Sequence, residues 1–175
     1  MRGQEGNLTE AKYDFEKTLA LQPTHLLAIQ NMVKLYQFQG NPGAAQALLE
    51  KTIAIDPSQA ELHEGLAMLY VNEKNLPGAR SEFEKATQLD PGNVQMLNGL
   101  GVVLMEMGES AAAMQAFEKC RRLDPTYDRP YLNMAVLYLR AGQTDKARSL
   151  LSEYLQRDPN DQEIRQALQE VNSRQ

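Results

Sequence analysis

The sequence predicts an all-α fold, a solenoid of antiparallel helix pairs with a constant repeat length. Three observations support this prediction: an evenly spaced series of prolines, columns of apolar residues with the same spacing, and helical rather than alternating periodicity inside each repeat. A repeat of fixed length between about 20 and 50 residues is typical of solenoids, because each unit buries its apolar face against its neighbours.

Five of the eight prolines are evenly spaced, and other residue types align with them. The proline column consists of Pro23, Pro57, Pro91, Pro125 and Pro159. Alanine forms an unbroken column at Ala11, Ala45, Ala79, Ala113 and Ala147. Large apolar residues form a third column at Phe15, Leu49, Phe83, Phe117 and Leu151. Glycine forms a fourth column at Gly6, Gly40, Gly108 and Gly142, which is interrupted by Lys74.

Each repeat is predicted to contain two helices. In one repeat, Leu97, Leu100 and Leu104 lie at i, i+3 and i+7, which places them on one helical face. Gly108 predicts the end of that first helix, because glycine often follows the last turn. A second apolar face follows and ends before Pro125, since the residue before a proline disfavours the helical region. No segment alternates with period two for long, so we predict no strands.

Three helix starts can be predicted from capping patterns. Asn41 precedes Pro42, which predicts an N-cap followed by proline at the first helical position. The pair Ser58 and Glu61, and the pair Asn160 and Glu163, resemble capping boxes.

These columns resemble the tetratricopeptide repeat family, whose 34-residue repeat has a pattern of Trp, Leu-Gly, Tyr, Ala, Phe and Pro. The best match contains Leu97, Leu100, Gly101, Leu104, Ala113, Phe117 and Pro125. The tryptophan column instead contains Ile29, His63, Leu97 and Tyr131. The resemblance covers nearly the whole chain and implies a right-handed superhelical solenoid.

The repeat spacing predicts the domain organisation. We expect a partial repeat with a second helix only, four complete repeats and a C-terminal capping helix, at residues 1–25, 26–59, 60–93, 94–127, 128–161 and 162–175. The apolar residues Leu8, Phe15 and Leu19 lack the partner helix that every other second helix has. We therefore expect Met1 to be a truncation point within a longer array.

Charge and hydropathy exclude several classes of partner. The chain has 18 Lys and Arg against 23 Asp and Glu, a formal net charge of −5, which argues against binding to a nucleic-acid backbone. The longest apolar runs have six residues, so no membrane insertion is expected. The first six residues have no apolar core, which predicts no signal peptide. These features favour a soluble protein, with a slight preference for the cytoplasm.

No pattern predicts catalysis, a metal or a cofactor. No glycine-rich phosphate loop is present, and His25 and His63 belong to different repeats without a supporting cluster of ligands. His63 occupies the column of large residues, so we interpret it as a packed histidine. Cys120 is interpreted as a small packing residue rather than a nucleophile.

The resemblance implies that ligands bind the concave groove, which is lined by the first helix of each repeat. The candidate groove residues are Gln30, Lys34, Glu64, Met68, Val71, Asn98, Val102, Met105, Arg129, Asn133, Val136, Leu139 and Arg140.

Two interpretations of the apolar groove residues stay open. Six of these residues form an apolar stripe across three repeats, namely Met68, Val71, Val102, Met105, Val136 and Leu139. The stripe is either packing between neighbouring first helices or a surface for a partner helix or extended segment. Three glutamates, Glu61, Glu64 and Glu106, are expected towards one part of the groove, with Arg129 and Arg140 towards the other. A ligand with a basic part and an acidic part would fit this polarity.

The leading hypothesis is a non-catalytic scaffold that binds a peptide or helix of another protein in its groove. One alternative is a structural module that associates with itself, either through the uncapped N-terminal end or through the groove. Another is an accessory domain of a larger multidomain protein or enzyme.

Overall fold

The computed structural model describes residues 2–173, with side chains described from residue 8 onwards. Over these residues the chain is all-helical, with ten helices and no strand. The helices are α1 Arg2–Leu21, α2 Leu26–Phe38, α3 Pro42–Ile55, α4 Ala60–Asn72, α5 Leu76–Leu89, α6 Val94–Glu106, α7 Ser110–Leu123, α8 Arg129–Arg140, α9 Thr144–Arg157 and α10 Gln162–Asn172. The predicted all-α class and helical-repeat solenoid are confirmed.

The chain divides into two compact units, residues 1–90 and residues 91–175. We call them unit 1, with helices α1–α5, and unit 2, with helices α6–α10. In unit 1, α2 packs on α3, α4 packs on α5, and the first helices α2 and α4 also contact each other. In unit 2, α6 packs on α7, α8 packs on α9, and the first helices α6 and α8 are in contact. Each unit therefore presents a pair of adjacent first helices.

Both units have cores built from the predicted columns. Phe83 in unit 1 and Phe117 in unit 2 are buried, as the repeat pattern predicts. The small residues Ala79 and Ala113 are fully buried near them, which lets the two helices of a pair approach closely. In unit 2, Ile164 of α10 is buried in the same core cluster, so the last helix covers the end of that core.

The first helices end in left-handed turns. Gly40, Gly108 and Gly142 have φ of 69°, 80° and 71°, and Lys74 has φ of 60° at the equivalent position. After each of these residues, a backbone N–H donates to a carbonyl five residues earlier, as in the 2.8 Å bond from Asn75 to Tyr70. This is the Schellman motif that glycine favours at a helix end. Lys74 therefore adopts a glycine conformation with a lysine side chain.

The predicted N-cap at Asn41 is confirmed. Its side-chain oxygen accepts from the Ala44 backbone N–H at 3.1 Å, and Pro42 occupies the first turn of α3. Asn75 caps α5 in the same way, with Gly78 as the donor at 3.1 Å.

Both predicted capping boxes are wrong, because Ser58 and Asn160 instead donate hydrogen bonds to the aspartates that precede the evenly spaced prolines. Ser58 donates through its backbone N–H and its hydroxyl to Asp56, and α4 begins at Ala60 without a side-chain cap. The backbone N–H of Asn160 likewise donates to Asp158, and Asp161 caps α10 instead. The aspartate column thus forms turns in which a side chain accepts from the backbone two residues on.

Candidate functional site

His63 lies in the core of unit 1 and is fully hydrogen-bonded. Its ring nitrogen Nδ1 is 2.7 Å from Glu82 Oε2, and Nε2 is 3.1 Å from the Pro57 carbonyl oxygen. Each ring nitrogen of His63 therefore has an oxygen atom within hydrogen-bond distance. In unit 2, the Tyr131 hydroxyl occupies the same column and donates to the Pro125 carbonyl at 3.2 Å. His63 is therefore the packed histidine that the sequence predicts.

Cys120 is buried in unit 2, where its Sγ donates to the Val94 carbonyl at 3.4 Å. Burial raises the pKa of the Cys120 thiol to about 11. A protonated, enclosed thiol is a poor nucleophile. Within the part of the chain that the structure describes, no three His, Cys, Asp or Glu side chains are grouped so that they could hold a metal ion.

An open hollow of about 260 Å³ lies between the first helices α2 and α4 of unit 1. It is lined by Gln30, Val33, Lys34, Gln37, Leu49, Glu61, Leu62, Glu64, Gly65 and Met68. Gly65 lines the hollow and contributes no side chain to it. A β carbon there would lie 3.4 Å from Leu49 Cδ2, so Leu49 of α3 forms part of the floor.

Glu64 is a half-buried carboxylate in the wall of this hollow. Burial, with a smaller contribution from the negative charge of Glu61, raises the pKa of Glu64 above its ordinary value. Among the described residues, none forms a hydrogen bond or ion pair with Glu64. Lys34 lines the same hollow but is exposed and lies beyond ion-pair distance of both glutamates. Of the apolar candidates in unit 1, Met68 is 48% exposed and Val71 is half-buried.

In unit 2, two amide side chains join the neighbouring first helices. Asn133 Nδ2 on α8 donates to Asn98 Oδ1 on α6 at 3.0 Å. The amide nitrogen Nδ2 of Asn98 and the side-chain oxygen Oδ1 of Asn133 remain available for further hydrogen bonds. Both residues are half-buried, so the pair lies at the surface between the two helices.

The apolar candidates of unit 2 divide between core and surface. Met105 is 8% exposed and belongs to the core cluster, and Val102 and Leu139 pack partly against that cluster. Val136 is 38% exposed. In this unit the packing interpretation therefore holds for Met105, whereas Val136 is open to a partner.

The charged candidates of unit 2 are already paired. Arg129 Nη1 lies 2.8 Å from Glu163 Oε1, and Arg140 Nη2 lies 3.9 Å from Glu106 Oε1. The expected separation of Glu106 from the arginines is therefore wrong. Members of each pair are one repeat length apart in the sequence, and this spacing places them side by side on adjacent helices. Opposite charges at i and i+34 are the sequence signal that could have predicted both pairs.

The repeat pattern does not predict all of the residues that line the hollow in unit 1. Leu49 belongs to a column that predicts packing, and Gly65 adds nothing to a hydrophobic pattern. The signal that could have found the hollow is the column of Asn31, Gly65, Gly99 and Asn133. A glycine in this column leaves space between neighbouring first helices that a side chain would otherwise occupy.

A larger hollow of about 370 Å³ lies in unit 2 between α7, α8 and α9, away from the candidate residues. Two of its lining residues, Arg121 and Glu153, pair with each other at 3.1 Å. The hollow between α2 and α4 is smaller, but it contains the unpaired carboxylate of Glu64. We therefore treat the hollow between α2 and α4 as the candidate site of unit 1, and the surface between α6 and α8 as a separate candidate site of unit 2.

None of the helices within residues 2–173 combines the length and apolar composition needed to cross a membrane.

Comparisons with known proteins identify the family. One tetratricopeptide repeat model matches residues 4–69, 39–97 and 104–171, and a second model of the same description matches residues 75–128. No curated protein matches the chain.

Several solved structures share the fold. MamA is 23% identical with a TM-score of 0.76, over 90% of this chain and 92% of that chain. PilF of Pseudomonas aeruginosa is 23% identical with a TM-score of 0.76, over 96% and 82%. YrrB, a tetratricopeptide repeat protein described as having an unusual peptide-binding site, is 19% identical with a TM-score of 0.71, over 91% and 82%. This chain belongs to the tetratricopeptide repeat family, whose repeats support a role as a protein-interaction scaffold.

Proposed function

We propose that this protein is a non-catalytic scaffold that binds an extended peptide segment of a partner on the surface between its first helices α6 and α8. The observation that supports this proposal is the amide pair Asn98 and Asn133 beside the exposed Val136. The pair offers a donor group, the amide nitrogen of Asn98, and an acceptor, the side-chain oxygen of Asn133, which match the carbonyl and N–H of a peptide group. Val136 offers an apolar contact for a side chain of the same segment.

The surface between α6 and α8 is small, and this limits the expected affinity. Part of the apolar stripe is already buried in the core, so Val136 and the edges of Val102 and Leu139 supply the apolar contact in unit 2. Association has a large entropic cost that such a surface only partly offsets. We expect dissociation constants on the order of micromolar. YrrB, a relative in fold, is described as having a peptide-binding site, which supports the same class of ligand here.

Selection of random linear peptides on the intact chain tests the proposal. The peptides recovered are measured against Val136→Glu, which adds a charge to an exposed position of α8. The matched control is Gln156→Glu, which adds the same charge at an exposed position of α9. Val136→Glu should weaken binding about tenfold or more, because an apolar contact is replaced by a group that must be desolvated. Equal binding to both folded variants would contradict the proposal.

A second candidate function, self-association, is favoured by exposed apolar residues on α1 and α2. Phe38 is 77% exposed, Leu27 is 62% exposed and Tyr13 is 65% exposed. Leu27 and Phe38 lie at i and i+11, which places them on the same face of α2. The equivalent positions of α4, α6 and α8 hold polar or charged residues, namely Glu61, Asn72, Gln95, Glu106, Arg129 and Arg140.

Sedimentation velocity over a range of concentrations tests this second function. A dimer that dissociates in the double variant Leu27→Gln, Phe38→Gln would support it. A monomer at every concentration would exclude it. The remaining alternative, an accessory domain of a larger multidomain protein or enzyme, stays a prediction.

A further inference from the structure

We propose that the hollow between α2 and α4 binds one basic side chain, lysine or arginine, of a partner protein. The inference rests on the proposed role as a protein-binding scaffold and adds the chemistry of the group that unit 1 would recognise. Shape and charge support it separately.

The shape of the hollow suits a single long side chain. Its volume of about 260 Å³ lies below the range of about 300–1,000 Å³ that is usual for small-molecule pockets. Leu49 and Leu62 provide an apolar floor where Gly65 has no side chain. The methylene groups of lysine and arginine pack on such surfaces while the charged end stays near polar groups.

The charge of the hollow selects a cation. Glu64 is half-buried without a hydrogen-bond or ion-pair partner among the described residues, and Glu61 lies on the same helix one turn away. With Lys34, the lining has a formal charge of −1, from one positive and two negative groups. A partly desolvated carboxylate without a partner is unfavourable, and a charge-assisted hydrogen bond from a bound cation would relieve that cost.

The contrast with unit 2 supports this selection. There, Glu106 is paired with Arg140 and Glu163 with Arg129, so both carboxylates already have a cationic partner within the chain. An acidic side chain in the hollow of unit 1 would be repelled by Glu61 and Glu64. A neutral side chain would fill the apolar floor but leave the Glu64 charge uncompensated.

Titration of the intact chain with small probes, followed by NMR, tests the inference. The probes are n-butylammonium and n-butylguanidinium as cations, 1-pentanol as a neutral molecule of similar size, and butyrate as an anion. Both cations should cause saturable shifts of the Met68 methyl and Glu64 carboxyl signals at millimolar concentration. We expect 1-pentanol to bind about fivefold more weakly, because it lacks the charge-assisted bond. Butyrate should cause no saturable shift at these signals.

Two variants complete the test. Glu64→Gln keeps the side-chain size and should weaken binding of both cations about fivefold or more. Glu106→Gln removes a carboxylate of the same type from the paired position on α6, and it should leave cation binding unchanged. Circular dichroism checks that both variants are folded. Equal binding of 1-pentanol and n-butylammonium, or equal cation binding by Glu64→Gln and the parent, would overturn the inference.

The two proposals fail in different experiments. If selected peptides bind at α6 and α8 but no probe binds between α2 and α4, the inference alone is overturned. If the cations bind in a manner that depends on Glu64 but no peptide can be selected, the hollow is supported as a site for cations and the proposed function fails.

Discussion

The aromatic ring of Phe117 occupies the space that a β carbon on Gly101 would need. Such a carbon would lie 2.4 Å from Phe117 Cε1 and within 2.9 Å of two other ring atoms. Gly101 is in α6 and Phe117 in α7, and both are buried. The close approach of these two helices therefore requires glycine at this position. Gly65 of α4 has more space, because a β carbon there would contact Leu49 of the preceding helix at 3.4 Å.

Gly101→Ala should lower the free energy of unfolding by about 1–3 kcal/mol, because the ring of Phe117 is enclosed in the core and must shift to admit the methyl group. The better helix propensity of alanine offsets part of this loss. Urea denaturation, followed through the NMR signals of α6 and α7, measures the change. Gly65→Ala is the matched control, and we expect it to be neutral or to stabilise by up to about 1 kcal/mol. A Gly101→Ala variant as stable as the parent would contradict this close contact between α6 and α7.

Lys74→Gly should raise the free energy of unfolding by about 0.5–1 kcal/mol. Lys74 has φ of 60°, a conformation that is unfavourable for a residue with a β carbon and readily adopted by glycine. The control is Gly108→Ala, at the same turn in unit 2 with φ of 80°. It should destabilise by about 1 kcal/mol, although a β carbon there would touch nothing within 4 Å. Thermal unfolding compares the two, and a destabilised Lys74→Gly would mean that the Lys74 side chain contributes contacts of its own.

Glu82→Gln should destabilise the protein at neutral pH by about 1–3 kcal/mol, because it removes a charge-assisted partner from His63 and Lys85. Burial opposes ionisation of Glu82, but hydrogen bonds from Lys85 and His63 hold the pKa of Glu82 below its ordinary value of 4.5. A carboxyl whose pKa is lower in the folded protein stabilises the fold at pH values above its ordinary pKa. This stabilisation is lost as the pH falls through the pKa of the folded state. The contribution of the ionised Glu82 carboxylate to this difference should therefore be present above about pH 4.5 and shrink in more acid solution.

Glu64→Gln is the control for this experiment, because the sign is reversed. Burial raises the pKa of Glu64, so the folded protein binds that proton more tightly than the unfolded chain does. Its ionisation then opposes folding at neutral pH, and the variant should be slightly more stable than the parent there. Urea denaturation at a series of pH values measures both variants. Destabilisation by both at neutral pH would contradict the assigned environment of Glu64.

Cys120 should react slowly with iodoacetamide in the native protein. With its pKa raised to about 11, only about one thiol in a thousand is ionised near pH 8, and the side chain is fully buried. Mass spectrometry should show alkylation at least about a hundredfold faster in concentrated urea, where Cys120 is exposed. A variant with Cys120→Ala and Ser149→Cys provides an exposed cysteine on α9 as a reference. Native alkylation of Cys120 as fast as that of the reference would contradict its burial.

Much of the fold follows from the sequence because the repeat places the same residue types in the same environments. The columns of Ala113 and Phe117 predict the contact between α6 and α7, and Gly108 predicts the turn between them. Lys74 interrupts the glycine column, yet its backbone adopts the same left-handed conformation as the glycines of that column. The repeat geometry therefore dominates over the preference of a single residue.

The candidate site is less predictable from the sequence because one helical face serves two purposes. Met105 and Val136 both lie on the face that the pattern assigns to the groove, but Met105 packs into the core and Val136 stays exposed. Periodicity gives the direction of a side chain and not the distance to the next helix. The hollow at Gly65 is not predictable from the pattern for the same reason, since Leu49, which also lines it, belongs to another helix.

The ion pairs between residues one repeat length apart have a consequence for engineering arrays from this chain. Arg140 meets Glu106 on the preceding first helix, and Arg129 meets Glu163 on the following helix. A tandem duplication of residues 128–161 would instead place arginine beside arginine at both positions. Each exposed pair contributes at most about 1 kcal/mol, so the array would still fold. The charges therefore bear on the order of the repeats more than on their stability. To restore the pairs, a repeat with glutamate at the positions of Arg129 and Arg140 would have to be inserted between the two copies.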